Sequence, residues 1–129
     1  MRRPLILVAV FVLTALCVTS ASALELVMFR RAGCPWCAAW DREVGPIYPK
    51  TEIGRRAPIR FVDLDSSGTL NAMLKSPVRF TPTFVLLDEE REIGRIEGYP
   101  GADFFWGLLE NLVPKPQAKR GRDAAGAGH

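Results

Sequence analysis

Two cysteines separated by two residues are the feature of this sequence with the clearest chemical meaning. Cys34, Pro35, Trp36 and Cys37 follow an apolar run of strand length at residues 24–29, and the pattern becomes helical from Pro35 onward. At the start of a helix, unpaired N–H groups and the positive end of the helix dipole stabilise a thiolate. The spacing therefore predicts reversible thiol–disulfide chemistry, in which Cys34 attacks a disulfide and Cys37 resolves the mixed disulfide.

Other uses of a cysteine pair fit this sequence less well. A zinc site takes about four ligands, and beyond residue 23 the chain offers only these two cysteines and His129. We therefore expect no metal and no cofactor within one chain, while a zinc site shared between two chains stays open. A c-type haem would need a histidine after Cys37, where Ala38 stands. A bridge across two residues constrains little of the unfolded chain, so its expected value is chemical.

The two ends of the chain differ from the middle in composition. Residues 1–23 have the parts of a secretory signal peptide: a start with Arg2 and Arg3, an apolar run, and small residues up to Ala23. We expect cleavage after Ala23 and export to the periplasm, because the apolar run is shorter than the roughly 20 residues that anchor a chain in a bilayer. Residues 114–129 are basic and rich in glycine and alanine, which predicts a disordered tail. The net charge of +3 lies mostly in these ends, so we expect no nucleic-acid partner.

Residues 24–113 are expected to form one domain with the element order β-α-β-α-β-β-α. The predicted strands are residues 24–29, 59–64, 83–87 and 92–97. The predicted helices run from Pro35 to about Gly45, from 68 to 75, and from after Gly101 to Pro114, with residues 50–58 as a surface connection. This alternation predicts an α/β fold with a central four-stranded mixed sheet, flanking helices and a final antiparallel hairpin.

The apolar side chains of the predicted helices divide into buried and exposed positions. Trp36, between the two sulfurs, is expected to be exposed and to contact a partner, whereas Trp40 is expected to pack in the core. The middle helix is predicted to turn three side chains inward: Leu70, Met73 and Leu74. Spacing of three and four residues predicts the buried face of the last helix, which is Phe104, Phe105, Leu108, Leu109 and Leu112.

A second motif, Phe80 to Thr83 around Pro82, stands directly before the third predicted strand, where a proline marks the strand's entry. Together with the cysteine pair, it resembles the thioredoxin superfamily over residues 24–113. The resemblance implies a thioredoxin-like fold and a thiol–disulfide oxidoreductase. It also implies that Pro82 is cis and faces the cysteine pair, that the Thr81 backbone pairs with a bound peptide, and that Gly98 lies beside the substrate groove.

The chain departs from thioredoxin proper around the cysteines. Pro35 and Trp36 replace the Gly-Pro pair of that family, and the Pro-aromatic pair resembles glutaredoxins. Met28 stands in place of a buried acid and Phe61 in place of a buried lysine. The usual proton acceptor for Cys37 is thus missing, so either water takes the proton or Cys37 is released more slowly.

Residues 26–29, 33–37 and 40–51 carry a narrower resemblance, and the segment Gly45 to Lys50 is its most specific part. They look like the small periplasmic thioredoxins of the sulfur-oxidising (Sox) system, the SoxS type. This implies reactivation of the Sox thiol carrier, the SoxYZ complex, with electrons from a membrane thiol transporter. Two alternatives stay open at this point: a periplasmic disulfide oxidase or isomerase, and a non-catalytic regulatory module that keeps the fold.

Overall fold

The sheet is built around β1 (Leu24–Arg30), whose apolar run is buried on both faces. In the computed structural model, which describes residues 23–116, the strand order is β2-β1-β3-β4, with β2 at Ile59–Asp63, β3 at Thr83–Asp88 and β4 at Arg91–Glu97. β2 is parallel to β1, while β3 is antiparallel to both β1 and β4. Strands that are covered on both faces have continuous apolar runs. The central pair, β1 and β3, has this composition. The predicted mixed sheet and its terminal hairpin are confirmed.

Four helices connect and cover the strands: α1 (Pro35–Glu43), α2 (Glu52–Arg56), α3 (Gly68–Met73) and α4 (Ala102–Leu112). Short 3-10 turns occur at Tyr48–Lys50 and Leu64–Ser66. In the part of the chain that the structure describes, no helix is both long and apolar enough to cross a membrane. Residues 1–22 and 117–129, which hold nearly all of the expected signal peptide and tail, lie outside the described residues.

The prediction of a plain surface connection at residues 50–58 was wrong, because α2 forms there. The Thr51 side chain accepts a hydrogen bond from the Gly54 amide and so caps the helix. Gly54 is buried, and an added Cβ would lie 1.8 Å from the carbonyl oxygen of Tyr48. With a glycine and two arginines among its five residues, this helix has no apolar periodicity, so nothing in the pattern indicated it.

Two apolar clusters lie on the two faces of the sheet. One gathers the side chains of α1 and α4 against Leu26, Met28, Phe84 and Leu86, with Trp40, Tyr48 and Phe105 as its largest buried members. The other packs α3 and the segment before β3 against Val27, Phe29, Val85 and Leu87. Since successive strand residues point to opposite faces, alternate residues of β1 serve different clusters.

Three side chains predicted to be buried on helices are exposed instead: Met73, Phe104 and Leu108. Met73 is the last residue of α3, so its side chain lies at the exposed end of the helix. On α4 the buried stripe is centred on Phe105 and Leu109, about 100° around the helix from Phe104 and Leu108. The apolar residues of α4 occupy so wide an arc that spacing alone did not show which part faces the core.

Candidate active site

Cys34 and Cys37 lie at the start of α1 and are joined by a disulfide, with their Cα atoms 5.3 Å apart. Cys34 is the N-cap residue, Pro35 is the first helical residue, and the Cys37 amide donates a 3.2 Å hydrogen bond to the Cys34 sulfur. Cys34 is partly exposed, whereas Cys37 is buried. One accessible sulfur at a helix N-terminus and one shielded sulfur beside it form an arrangement suited to thiol–disulfide exchange.

The loop before Cys34 is held in place from two sides. Gly33 has φ +74°, in the left-handed region that glycine adopts at low cost, and this turns the chain from β1 into α1. Arg31 donates two hydrogen bonds to Asp65, just beyond β2, at 2.9 and 2.7 Å. The Arg31 hydrogen bond holds the pKa of Asp65 below its usual range. These contacts tie the loop of the reactive cysteine to the end of β2.

Pro82 follows a cis peptide bond, as the resemblance implied. The buried proline precedes β3, whose first residue, Thr83, pairs in register with Phe29 at the end of β1. Since β1 leads directly to the cysteine loop, Pro82 lies at the same end of the central strands as Cys34. The Gly98 amide, at the end of β4, donates a 2.7 Å hydrogen bond to the Pro82 carbonyl. The structure therefore brings Thr81, Pro82 and Gly98 together.

The two tryptophans of α1 lie where they were expected. Trp36 is 62% exposed, while Trp40 is buried. The Trp40 ring packs at centroid distances of 5.7–6.1 Å from four aromatic rings: Tyr48, Phe61, Phe84 and Phe105. Trp40 thus anchors α1 on the sheet, and Trp36 and Pro35 remain on the surface beside Cys34.

The two positions that depart from thioredoxin proper are neighbours in the sheet. Met28 in β1 pairs in register with Phe61 in β2, and Met28 is fully buried. Phe61 is 50% exposed, so the side chain in the place of a buried lysine lies at the surface. The sheet beneath the cysteine pair is therefore apolar at both positions, and neither side chain can exchange a proton.

Sequence reasoning missed a groove of about 570 Å³ beside the cysteine pair. The groove lies between the loop that precedes α1 and the edge strand β2. Its walls include Arg30, Arg31, Cys34, Phe61, Val62 and Asp63. Phe61 in the place of a lysine was the available signal, but the sheet order that places it beside Cys34 cannot be read from a local pattern. Among residues 23–116, no cluster of three or more His, Cys, Asp or Glu side chains could hold a metal ion.

Cys34 is accessible and caps a helix, Cys37 lies buried three residues on, and a cis-proline lies at the same end of the central strands. These features define a thiol–disulfide oxidoreductase with a thioredoxin fold. The chain belongs to the thioredoxin superfamily. It is similar to the periplasmic thioredoxin SoxS of Paracoccus pantotrophus, with 48% identity, a TM-score of 0.65, and coverage of 69% of this chain and 94% of that one.

Two further solved structures share the fold. The germline-specific thioredoxin Deadhead of Drosophila melanogaster is 24% identical with a TM-score of 0.57, covering 71% of this chain and 83% of that one. A point mutant of a thioredoxin from Halobacterium salinarum is 25% identical with a TM-score of 0.56, covering 75% of this chain and 83% of that one. No family model matches the sequence, and no curated protein does. The predicted fold and enzyme class are confirmed.

Proposed function

We propose that this chain is an exported disulfide reductase that reactivates the thiol carrier of the Sox sulfur-oxidation system, the SoxYZ complex, by reducing a mixed disulfide on it. The observation that carries this proposal is the 48% identity to a periplasmic SoxS over 94% of that protein's length. The disulfide-forming pair, Cys34 and Cys37, supplies the chemistry. The segment Gly45 to Lys50, which generic redox chemistry does not require, supports the narrower assignment.

The reaction begins with the dithiol form. The Cys34 thiolate attacks one sulfur of the partner's disulfide, that S–S bond breaks, and the departing sulfur leaves as a thiolate that takes a proton. The Cys37 thiolate then attacks Cys34, releasing the partner's second sulfur as a thiol. Two electrons pass to the partner, and Cys34 and Cys37 are left as the disulfide found here. Neither Met28 nor Phe61 can accept the Cys37 proton, so either water accepts it or Cys37 is released more slowly.

The partner's peptide binds across the end of the sheet at which the cis-proline lies. Thr81 pairs with it through its backbone, while Pro82 and Gly98 form the adjoining surface. Trp36 and Pro35 contact it from the helix side. This assignment is supported by the Gly98–Pro82 hydrogen bond. It is also supported by Tyr99, whose hydroxyl donates to Glu43 at the end of α1 and so ties the Gly98 turn to the helix of the cysteine pair.

The proposal includes the cellular setting. Residues 1–23 direct export and are removed, residues 24–113 form the working domain, and residues 114–129 are a solvated tail. Outside the cytoplasm there is no reducing glutathione pool, so a membrane thiol transporter must restore the dithiol. The composition of the two ends, described above, supports this arrangement.

Trapping of the partner tests the proposal. Cys37→Ser keeps the attacking sulfur and removes the resolving one, so it should accumulate a covalent adduct with the carrier in a periplasmic extract. Cys34→Ser is the matched control and should trap nothing. Mass spectrometry of the adduct identifies the partner. A partner outside sulfur oxidation would contradict the Sox role, and equal trapping by both variants would contradict the assignment of Cys34 as the attacking residue.

A further inference from the structure

The groove beside Cys34 has a preorganised aromatic wall. The Phe61 ring meets the buried Trp40 ring edge-on at 6.0 Å, and the Arg30 guanidinium carbon lies 5.2 Å from the Phe61 centroid. Arg30 is itself held by two hydrogen bonds to Asp41, at 3.0 and 2.6 Å. Phe61 nevertheless stays 50% exposed. An aromatic surface fixed before binding loses little conformational entropy when a partner covers it.

The groove lies on the side of Cys34 away from the cis-proline. Phe29, near the end of β1, pairs with Val62 of β2 on one side and with Thr83 of β3 on the other. The residues that line the groove come from the end of β1, the cysteine loop, the start of α1 and β2, and do not include Thr81, Pro82 or Gly98. A polypeptide whose sulfur is bonded to Cys34 can therefore contact the cis-proline with one flank and this groove with the other.

Both arginines of the groove are already paired with carboxylates of the chain. Arg30 binds Asp41 and Arg31 binds Asp65. The Asp63 carboxylate accepts hydrogen bonds from the Asp65 and Ser66 amides. An incoming carboxylate would be desolvated without gaining a free cation, which is unfavourable. An incoming apolar side chain would instead bury the exposed part of Phe61 together with itself.

We propose that the groove lined by Cys34, Phe61 and Val62 is a specificity subsite that takes an apolar side chain next to the reactive cysteine of the partner. The inference rests on the proposed reductase function and adds a chemical preference to it. An uncharged, aliphatic flank is favoured over an acidic one. Phe61 is the specificity-determining residue, and Arg30 is the positioning residue that holds its ring.

Short blocked peptides test this preference directly. Each contains one cysteine as a mixed disulfide with 2-nitro-5-thiobenzoate, and the neighbouring residue is leucine, serine or aspartate, in one series before the cysteine and in one after it. The pre-reduced protein releases the coloured thiolate, which gives a second-order rate constant without an added reductant. In one of the two series, the leucine peptide should react about tenfold faster than the serine peptide, equivalent to about 1.4 kcal/mol. The aspartate peptide should show no advantage.

Three variants locate the preference. Phe61→Ser should reduce the leucine-to-serine ratio to near one, and Phe61→Leu, which keeps an apolar surface, should retain most of it. Phe104→Ser removes another exposed aromatic, on α4 and outside the groove, and should keep the ratio of the unmodified protein. A ratio near one in the unmodified protein, a ratio that survives Phe61→Ser, or a faster aspartate peptide would overturn the inference. Failure to release the thiolate from any peptide would instead contradict the reductase function itself.

Discussion

The Cys37 amide donates a hydrogen bond to the Cys34 sulfur over 3.2 Å. The reactive atom is therefore also the N-cap acceptor of α1, which satisfies one of the unpaired donors in the first turn. The same donor and the helix dipole favour negative charge on that sulfur in the dithiol form. Reactivity and helix stability are thus coupled through one atom.

Helix capping by Cys34 predicts a difference between two inactive variants. In a Cys37→Ser background, which removes the disulfide, Cys34→Ser retains a side-chain acceptor at the N-cap and Cys34→Ala does not. We expect the alanine variant to be less stable by about 1 kcal/mol in urea denaturation. Equal stability of the two variants would mean that the side chain at this position contributes nothing to α1.

Gly98 and Gly101 form a matched pair for testing the peptide-binding surface proposed beside the cis-proline. Both have positive φ, +84° and +114°, and a Cβ at either position would meet no atom within 4 Å. Replacing either glycine by alanine should therefore lower the free energy of unfolding by about 1 kcal/mol, because of backbone strain. Gly98, whose amide bonds to the Pro82 carbonyl, belongs to the proposed peptide-binding surface and Gly101 does not, so only Gly98→Ala should raise the KM for a protein disulfide several-fold. A similar rise for Gly101→Ala would argue that strain, and not obstruction, is the cause.

Gly54 and Gly107 are helical glycines with opposite surroundings. A Cβ on Gly54 would lie 1.8 Å from the Tyr48 carbonyl oxygen, whereas a Cβ on Gly107 would meet nothing within 4 Å. Gly54→Ala must displace the backbone around the buried Tyr48, and we expect a loss of about 3 kcal/mol. Gly107→Ala should gain about 0.5–1 kcal/mol from helix propensity. Thermal denaturation of the two variants gives shifts of opposite sign if the packing around α2 is as described.

Glu92 gives the stability of the domain a pH dependence. Its side chain is only 4% exposed and accepts hydrogen bonds from Arg95 and from the Lys75 amide. Burial, the largest single influence, raises the pKa of Glu92, but the bonds and charges of Arg95 and Lys75 outweigh it and leave the pKa below its usual 4.5. The stabilisation by the carboxylate is therefore present above about pH 4.5 and is lost as the pH falls through the lower folded-state pKa.

Glu92→Gln tests this dependence. At pH 7 it should lower the free energy of unfolding by about 2 kcal/mol, because Arg95 keeps a neutral acceptor in place of a carboxylate. The difference should shrink in urea titrations at progressively lower pH. Glu110→Gln, at an exposed position on α4, serves as the control and should change little at any pH. A constant gap between Glu92→Gln and the unmodified protein would show that the charge of Glu92 is not the stabilising feature.

The strands were predicted to within two residues at each end, while the helix surfaces were predicted less well. Apolar runs such as 24–29 and 83–87 are buried on both faces and leave no choice of face to be made. On α4, by contrast, the apolar arc is wide, and packing against the sheet selects Phe105 and Leu109 over Phe104 and Leu108. The helix at Glu52–Arg56 depends on a side-chain cap and on contact with Tyr48, neither of which produces a periodic pattern.

The redox chemistry follows from the sequence, because two cysteines at a strand-to-helix boundary meet through local geometry alone. The surroundings of Cys34, in contrast, follow from the order of the strands in the sheet. β2 and β3 are separated by 19 residues (64–82) in the chain, but they lie on opposite sides of β1, where Val62 and Thr83 both pair with Phe29. That order depends on how the sheet assembles, since hydrogen bonding between strands is non-local. It places the cis-proline on one side of the reactive sulfur and the exposed ring of Phe61 on the other.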